Sequence, residues 1–360
     1  MTTYRLAVIA GDGIGKEVIP IGLNVLRQAG RVTGRFEIAT TDLPWSCEYY
    51  LAHGAMIPAE GLKILADHDA VYLGAVGFPG VPDHVSLHGL LLPIRRGFDQ
   101  YVNLRPIRVL DGIASPLRRA ADGKIDMLCV RENTEGEYVG IGGRFKRGTP
   151  DDTAVQTSVF TRRGIERVAR YAFTQARRRR RRLASATKSN ALQYSMVLWD
   201  EVVEGLGSEF PDVEVARYHV DALAARFVTA PESLDVIVAS NLFGDILTDL
   251  GGALQGSLGL AASGNINPER HFPSMFEPVH GSAPDIAGRG IANPLAAVWA
   301  AAMLLDHLKE SEAAALIMQA LEQVARSGPH TSDLGGKGST RDVGEAIMSA
   351  VGTVGETVTR

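Results

Sequence analysis

Short apolar runs alternate along the chain with longer segments that carry apolar residues at helical spacing. The runs that predict strands are residues 4–10, 70–75, 127–130, 183–187, 213–220 and 234–239. The segments that predict helices are residues 15–30, 162–176, 291–309 and 310–326, and a further helix begins at Phe243. This alternation is typical of an α/β fold in which helices cover a largely parallel sheet.

Residues 132–160 break this pattern. They contain several glycines, alternating Thr and Val, and the pair Asp151 and Asp152. Short alternating runs joined by turn residues predict a β-hairpin arm rather than another strand–helix unit. Because the strand edges of such an arm are exposed, they favour pairing with a second subunit.

The composition is ordinary for a globular protein. The 360 residues can form two domains or one large α/β domain, and 45% of them are hydrophobic and 22% charged. A net charge of −4 argues against a nucleic-acid partner. The two cysteines, Cys47 and Cys129, are far apart and form no metal or redox motif, which favours a reducing compartment.

The sequence carries no targeting or membrane-spanning signal. The N-terminal segment enters a predicted strand directly, without the charged and apolar regions of a signal peptide. No window reaches the roughly 18 apolar residues that a membrane span needs. We therefore expect no membrane partner and a cytoplasmic location.

Six consecutive arginines occupy residues 177–182. Such a run can indicate a patch for nucleic acid or anionic lipid. Here it follows a predicted helix and precedes a predicted strand, and cations are favourable at a helix C-terminus. We interpret the run as a solvated helix end.

Two aspartates, Asp245 and Asp249, follow the predicted strand 234–239 and lie four residues apart. On a helix they share one face. Two carboxylates facing each other repel, so one of them tends to stay protonated, whereas a hard divalent cation removes the repulsion. The alternative is an acidic, solvated helix edge, and spacing alone leaves both interpretations open.

Arginines and strand ends supply further candidates. Arg95, Arg105 and Arg131 each offer a planar fork that binds a carboxylate at two points, which would suit a dicarboxylate substrate. Taken singly, an arginine is more often a surface residue or an ion-pair partner.

Lys188 and Asp221 follow predicted strands, where ligands gather in open α/β sheets. A lysine beside a metal and several arginines can act as a general base, with Tyr138 as the acid partner. Taken singly, residues of these types are more often structural.

Two glycine-rich segments could contact a nucleotide. The first, GDGIGKE at residues 11–17, does not fit the G-x-G-x-x-G spacing, so a tight turn and a phosphate contact both remain open. The second, EPVHGSAPDIAGRGIANP at residues 277–294, precedes a predicted helix, and its backbone amides can approach a nucleotide closely. Asp285 could accept hydrogen bonds from ribose hydroxyls and would repel a 2′-phosphate, which favours NAD over NADP.

These motifs carry a resemblance that covers essentially the whole chain. NLRP, VRENTEGEY, TKSNA, NLFGDILTD and EPVHGSAPDIAG resemble the β-decarboxylating dehydrogenases, a family that acts on isocitrate, 3-isopropylmalate, and tartrate or D-malate. The resemblance implies an isopropylmalate dehydrogenase-like two-domain fold, not a Rossmann fold. Residues 1–100 plus 258–360 would form the large, NAD-binding domain, and residues 101–257 the small domain for substrate, metal and dimerisation.

The resemblance also implies an assembly and cofactors. The expected assembly is a homodimer, or a tetramer, in which a lysine and an aspartate of one subunit complete the active site of its neighbour. The expected cofactors are NAD and Mn²⁺ or Mg²⁺, with K⁺ as a further requirement of the family.

Residue roles follow from the same resemblance. It assigns the malate moiety of the substrate to three arginines: Arg95, Arg105 and Arg131. It implies that Lys188 accepts the proton of the substrate hydroxyl and that Tyr138 protonates the enol. The implied metal ligands are Asp221, Asp245 and Asp249. The implied cofactor residues are Glu277, His280, Gly281, Ser282, Ala283, Pro284, Asp285, Ile286 and Asn293.

The residue at position 88, a histidine, indicates which substrate within the family this chain uses. Isopropylmalate dehydrogenases carry a glutamate seven residues before the first arginine, and here that position is His88, with Ser86 nearby. The strings PWSCEYY and DHVSLHGLLLPIRRGFDQYVNLRP resemble the tartrate and D-malate branch. We therefore expect oxidation of tartrate or D-malate, with or without decarboxylation. The alternatives are 3-isopropylmalate dehydrogenase and a non-catalytic regulatory subunit.

Overall fold

The computed structural model describes residues 1–117 and 125–358. The chain divides into two compact units: unit 1 is Met1–Gln100, Pro106–Ile125 and Gly252–Arg360, and unit 2 is Tyr101–Arg105 and Asp126–Gly251. The domain predicted at residues 101–257 has other bounds than unit 2, since the described residues 106–117 and 252–257 lie in unit 1. Within unit 1 these two segments hold each other: the Arg108 N–H donates to Gln255 Oε1 at 3.0 Å.

The helices and strands alternate as the pattern predicts. In chain order the strands are β1 (Thr2–Gly11), β2 (Phe36–Asp42), β3 (Ala70–Ala75), β4 (Val102–Arg108), β5 (Asp126–Glu132), β6 (Gly136–Phe145), β7 (Thr153–Val159), β8 (Arg182–Thr187), β9 (Glu214–His219), β10 (Val236–Ala239), β11 (Ala262–Ile266) and β12 (Ser274–Pro278). The α-helices are α1 (Gly15–Thr33), α2 (Cys47–His53), α3 (Gly61–Ala66), α4 (Asp83–Ser86), α5 (Leu92–Gly97), α6 (Arg162–Arg178), α7 (Ser195–Gly207), α8 (Val220–Thr229), α9 (Asn241–Leu254), α10 (Leu295–His307), α11 (Ser311–Ser327) and α12 (Thr340–Val358).

In unit 1, β1 pairs in parallel with β2 and β3, and β12 pairs in parallel with β3. β11 joins the other edge of β12 in antiparallel orientation, an exception that the alternating pattern did not predict. Helices α1 and α10 pack on these strands, and α11 and α12 pack on the helices. Nearly every residue of α10 is buried, which explains its apolar, alanine-rich sequence.

In unit 2, β10 pairs in parallel with β5 and β8, and β9 pairs in parallel with β8. Parallel pairing brings the carboxyl ends of these strands to one edge of the sheet. Arg131 lies at the end of β5, and Lys188, Asp221 and Asn241 follow β8, β9 and β10. This edge therefore gathers polar side chains that lie far apart in sequence.

The predicted arm is present as a two-stranded antiparallel sheet of β6 and β7. Its apolar side chains are unusually exposed, with Ile141 at 53%, Phe145 at 57% and Val155 at 48%. Exposed apolar residues on a hairpin are a feature of surfaces that pair with another chain. In the described part of the chain, no helix is long and apolar enough to cross a bilayer.

The arginine run 177–182 is mostly exposed and begins at the end of α6. Its charges are used within the chain: Arg177 pairs with Asp212 at 2.7 Å, and Arg179 pairs with Asp235 at 2.8 Å. Asp235 is fully buried, so the arginine provides the countercharge that a buried carboxylate needs. Arg177 and Arg178 end α6 and Arg182 begins β8, so the run joins a helix to a strand and is not simply a solvated helix end.

Candidate active site

Helix α9 directs two carboxylates toward one arginine. The Asp245 Oδ1 atom lies 3.5 Å from Arg105 Nη2, and Asp249 Oδ1 lies 3.7 Å from Arg105 Nη1. The Asp245 side chain is 35% exposed and that of Asp249 is 66% exposed, so both are open to solvent or ligand. We call Arg105, Arg131, Tyr138, Asp245 and Asp249 the α9 cluster.

Arg131 is the buried centre of the α9 cluster, with a side chain only 2% exposed. Its Nε and Nη2 donate to Asn241 Oδ1 at 3.1 and 2.7 Å, and its Nη1 donates to Asp245 Oδ1. A Cβ at position 244 would lie 2.6 Å from Arg131 Cγ, so Gly244 allows the arginine to lie against α9. The guanidinium is therefore held in one orientation.

Arg105, on β4, is held in a similar way. Its Nε donates to Asn103 Oδ1 at 2.8 Å, and its Nη1 donates to Thr248 Oγ1 at 2.6 Å. Asn103 and Thr248 are buried, at 0% and 3% exposure. Sequence reasoning missed Asn103, Thr248 and Asn241. The available signal was that these uncharged polar residues lie in the same motifs as the predicted charged ones. Asn103 lies in NLRP, and Asn241 and Thr248 lie in NLFGDILTD.

Tyr138, on β6, reaches the same carboxylate as the arginines. Its hydroxyl donates to Asp245 Oδ2 at 2.8 Å, and the Arg131 guanidinium carbon lies 5.5 Å from the centre of its ring. The hydroxyl is therefore directed at the Asp245 carboxylate. This arrangement can supply a proton to a ligand bound beside α9.

The carboxylates of α9 fit a divalent cation. Partial burial raises the pKa of the Asp249 carboxyl; Arg105 opposes this shift and Asp245 adds to it. Two neighbouring carboxylates of this kind are hard oxygen ligands, and a cation would relieve their repulsion. Over residues 1–117 and 125–358, no three His, Cys, Asp or Glu side chains form a metal-binding group. A cation would therefore need further oxygen ligands from water, substrate or another subunit.

Lys188 and Asp221 form an ion pair of their own. Lys188 Nζ donates to Asp221 Oδ1 at 2.7 Å, and the lysine lowers the pKa of the Asp221 carboxyl. The Asp221 side chain is 68% exposed and that of Lys188 is 28% exposed. The structure thus brings two predicted site residues together, and their association with the α9 cluster remains a prediction.

In unit 1, Arg95 pairs with Glu277. Arg95 Nη2 donates to Glu277 Oε1 at 3.1 Å, and both side chains are more than nine-tenths buried. Asn265 Nδ2 donates to the same oxygen at 2.7 Å. The Arg95 Nε is buried and has no hydrogen-bond partner among the described residues. Glu277, predicted as a cofactor residue, therefore orients a predicted substrate arginine, which keeps one donor available for an anion.

His88 is exposed and lies on a single π-helical turn, Leu87–Leu91. Such turns are rare and occur frequently at functional sites. The neighbouring Ser86 is buried, and its hydroxyl donates to the carbonyl of Asp83 at 2.9 Å. Of these two polar side chains, His88 is the one that is available to a ligand.

The 277–294 loop carries the other predicted cofactor residues. Ser282 is buried, and the rest of the segment that follows His280 is partly or fully exposed: Gly281, Ala283, Pro284, Asp285 and Ile286. Burial lowers the pKa of His280, so its ring is neutral, and its buried Nε2 has no partner within the described residues. The exposed backbone and this unused ring atom fit a dinucleotide.

Asn293, at the end of the loop, has a structural side chain. Its Nδ2 donates to Asp333 Oδ2 at 2.9 Å, and its Oδ1 accepts from the Leu295 N–H at 3.0 Å, which begins α10. Both ends of the amide are thus used within the protein. Asn293 could contact a cofactor only through its backbone or by exchanging these bonds.

Comparisons with known proteins agree with the motifs. The model of the isocitrate/isopropylmalate dehydrogenase family matches residues 5–347. A probable tartrate dehydrogenase/decarboxylase TtuC of Agrobacterium vitis is 52% identical over 98% of this chain and 97% of its own length. The D-malate dehydrogenase [decarboxylating] of Escherichia coli (strain K12) is 52% identical over 98% and 99%. The solved isocitrate dehydrogenase of Methylococcus capsulatus superposes with a TM-score of 0.87 at 33% identity, covering 97% of this chain and 99% of that one.

Proposed function

Because this chain belongs to the isocitrate/isopropylmalate dehydrogenase family and has its α/β fold, we propose that it oxidises tartrate or D-malate with NAD and Mn²⁺ or Mg²⁺. The observation that carries this proposal is the α9 cluster, in which Arg131 and Tyr138 both bind Asp245. The cluster combines an anion site, an acid and two metal-ligand carboxylates in one place.

The arginines support a dicarboxylate as the substrate. Arg105 and Arg131 are more than nine-tenths buried and lie together beside the carboxylate of Asp245. A planar guanidinium held by neighbouring side chains binds a carboxylate at two points with little further ordering. Arg95, in unit 1, is proposed to bind a substrate carboxylate through its unused Nε.

Two residues of the chain, Lys188 and Tyr138, would each carry out one of the proton transfers. When bound, the divalent cation would act as a Lewis acid toward the substrate's C2 oxygen and NAD would accept the hydride; Asp245 and Asp249, with Asp221, would hold the cation. Lys188, as the neutral amine, takes the hydroxyl proton while the C2 hydrogen leaves as hydride. Loss of carbon dioxide then leaves an enolate, and Tyr138 gives its phenol proton to the carbon.

Two observations favour tartrate or D-malate over larger substrates. His88 replaces the glutamate of isopropylmalate dehydrogenases and presents a polar, exposed ring. The relatives that are about half identical to this chain are named for tartrate and D-malate. The second candidate substrate, 3-isopropylmalate, would need an apolar pocket for its isopropyl group. The leucines beside His88 are the observation that favours it.

The assembly is proposed to be a homodimer with shared active sites. The exposed apolar residues of the β6–β7 arm support a second copy as the partner. The Lys188–Asp221 pair would complete the neighbour's α9 cluster. A non-catalytic regulatory role is disfavoured because Tyr138, Lys188 and the aspartates of the family motif are all retained.

A substrate panel tests the proposal. NADH formation would be followed with D-malate, the tartrate stereoisomers and 3-isopropylmalate side by side, with Mn²⁺ and K⁺ present. We expect turnover with D-malate or a tartrate, and slower turnover with NADP because of Asp285. Turnover with 3-isopropylmalate but with neither D-malate nor any tartrate would show that the proposed substrate is wrong. No turnover with any of them would favour the regulatory role.

A further inference from the structure

The GDGIGKE segment at residues 11–17 packs on the protein's own backbone. A Cβ at Gly13 would lie 2.0 Å from the Ser282 carbonyl oxygen, and one at Gly11 would lie 2.0 Å from the Ala75 carbonyl oxygen. These glycines are therefore required for close backbone approach, which gives the segment a structural role as a tight turn. Gly13 meets the 277–294 loop directly.

Two residues of this segment bond to the same loop. The Ile14 N–H donates to the Ser282 carbonyl at 2.9 Å. Glu17, in the first turn of α1, accepts from the Gly288 N–H at 2.7 Å and from the Gly290 N–H at 2.9 Å, one bond to each carboxylate oxygen. Hydrogen bonds to an ionised acceptor are stronger than neutral ones.

The two amides that Glu17 binds belong to residues with left-handed backbone. Gly288 has φ +76° and Gly290 has φ +64°. Glycine loses much conformational freedom on ordering, so this part of the loop depends on contacts to keep one shape. On the far side, Thr340 closes the turn: its N–H donates to the Gly290 carbonyl at 2.9 Å.

We propose that Glu17 is a positioning residue for the cofactor: its carboxylate clamps the Gly288 and Gly290 amides and so holds the 277–294 loop in the conformation that binds the dinucleotide. This inference rests on the proposed use of NAD. It assigns to Glu17 a role in affinity for the dinucleotide, without a part in the proton transfers made by Tyr138 and Lys188.

Three substitutions separate the clamp from other roles of Glu17. Glu17→Ala removes both bonds. Glu17→Asp keeps a negative charge near the positive end of α1 but is one methylene shorter, so it cannot span both amides. Glu17→Gln keeps the length and one acceptor oxygen. Glu312→Gln, at an exposed glutamate of α11 paired with Arg35, is the matched control.

Two readouts are needed: hydrogen exchange of the Gly288 and Gly290 amides without cofactor, and NAD affinity by titration of the protein alone. We expect Glu17→Ala and Glu17→Asp to speed exchange and to raise the Kd for NAD about tenfold, with Glu17→Gln intermediate and Glu312→Gln unchanged. At saturating NAD, kcat should stay within about twofold, because the catalytic groups are untouched.

Two results would overturn the clamp. Wild-type behaviour of Glu17→Asp, with Glu17→Ala impaired, would assign the effect to the charge at the helix end. An unchanged Kd in Glu17→Ala, with faster exchange, would show that the loop shape does not control binding. A wild-type protein that binds no NAD would refute the proposed function itself, and the exchange rates would still report whether Glu17 holds the loop.

Discussion

The α9 cluster and the 277–294 loop are the two proposed binding regions, and they are built by opposite means. In the α9 cluster, side chains make the contacts, and the buried Arg131 donates to both Asn241 and Asp245. In the loop, backbone groups dominate, and Glu17 binds the amides of Gly288 and Gly290. A site made of side chains is visible in the sequence as residue types, whereas a site made of backbone depends on residues elsewhere that hold its shape.

The two regions should also differ in sensitivity to substitution. Removing a partner from a buried charge costs several kcal/mol because the remaining charge is left uncompensated. Contacts of a partly exposed carboxylate such as Glu17 can be replaced partly by water. Substitutions in the α9 cluster should therefore reduce turnover or substrate affinity strongly, and substitutions under the loop should have smaller effects, confined to NAD.

The largest effect is expected for Tyr138→Phe. This change removes the hydroxyl that contacts Asp245 and leaves the ring in place. A lost general acid lowers the rate by roughly 10²–10⁴-fold. The measurement is kcat for D-malate or tartrate, together with the Kd for NAD, which should not change. A decrease in kcat of less than about tenfold would show that Tyr138 is not the proton donor.

Mixing two inactive variants sharpens this test. If active sites are shared, a dimer of one Tyr138→Phe chain and one Lys188→Met chain contains one intact site. Random mixing should then restore on the order of a quarter of wild-type activity. Mixtures as inactive as their parents would show that each chain uses its own lysine.

A smaller effect on substrate affinity is expected for Asn241→Ala. It leaves Arg131 Nε and Nη2 without their shared acceptor and frees the guanidinium to move. We expect KM for the dicarboxylate to rise roughly 10–100-fold, the worth of hydrogen bonds to a buried charged group. Asn24→Ala, at an exposed asparagine of α1, is the control. An unchanged KM would mean that Asn241 does not position Arg131 for the substrate.

The pH dependence of stability should differ between the two units. In unit 1, burial lowers the pKa of His307 to about 4, and Arg270 adds to the effect. The unfolded chain binds that proton first, so stability falls as pH drops below about 6.5, by about 2 kcal/mol between roughly pH 7 and pH 5. In unit 2, the raised pKa of Asp249 acts in the opposite direction, because protonation favours the folded state.

Urea unfolding of wild type and of His307→Gln at the two pH values measures this contribution. The variant should lose less stability on acidification than the wild type does. Equal losses in both proteins would assign the acid sensitivity to other groups.

Much of the architecture followed from the sequence. The predicted strand at residues 70–75 agrees with β3, and α6 begins at the predicted Arg162. The start of α10 was predicted at residue 291 but lies at Leu295, because Asn293 and Pro294 end the preceding loop. The polar strand β2 was missed, since its residues carry no apolar run and, among the described strands, it lies at the sheet edge beside β1.

The charged and aromatic residues of the candidate site could be predicted from the sequence motifs. The residues that hold them in place through hydrogen bonds could not. Asp245, Arg131 and Tyr138 were selected from motifs, and the structure places them in contact. Asn241 and Glu17 act through hydrogen bonds to groups more than 100 residues away along the chain, and no local pattern records such pairs. Supports of this kind become visible only when the strands and loops are placed in space.

The most direct test of the α9 cluster is a metal titration. NADH formation from D-malate or tartrate would be measured after chelation, and again as Mn²⁺ or Mg²⁺ is returned. We expect turnover to stop with the chelator and to recover with the metal, and Asp249→Asn should need at least about tenfold more metal for the same recovery. Turnover that continues unchanged in the chelator would contradict a metal bound by Asp245 and Asp249.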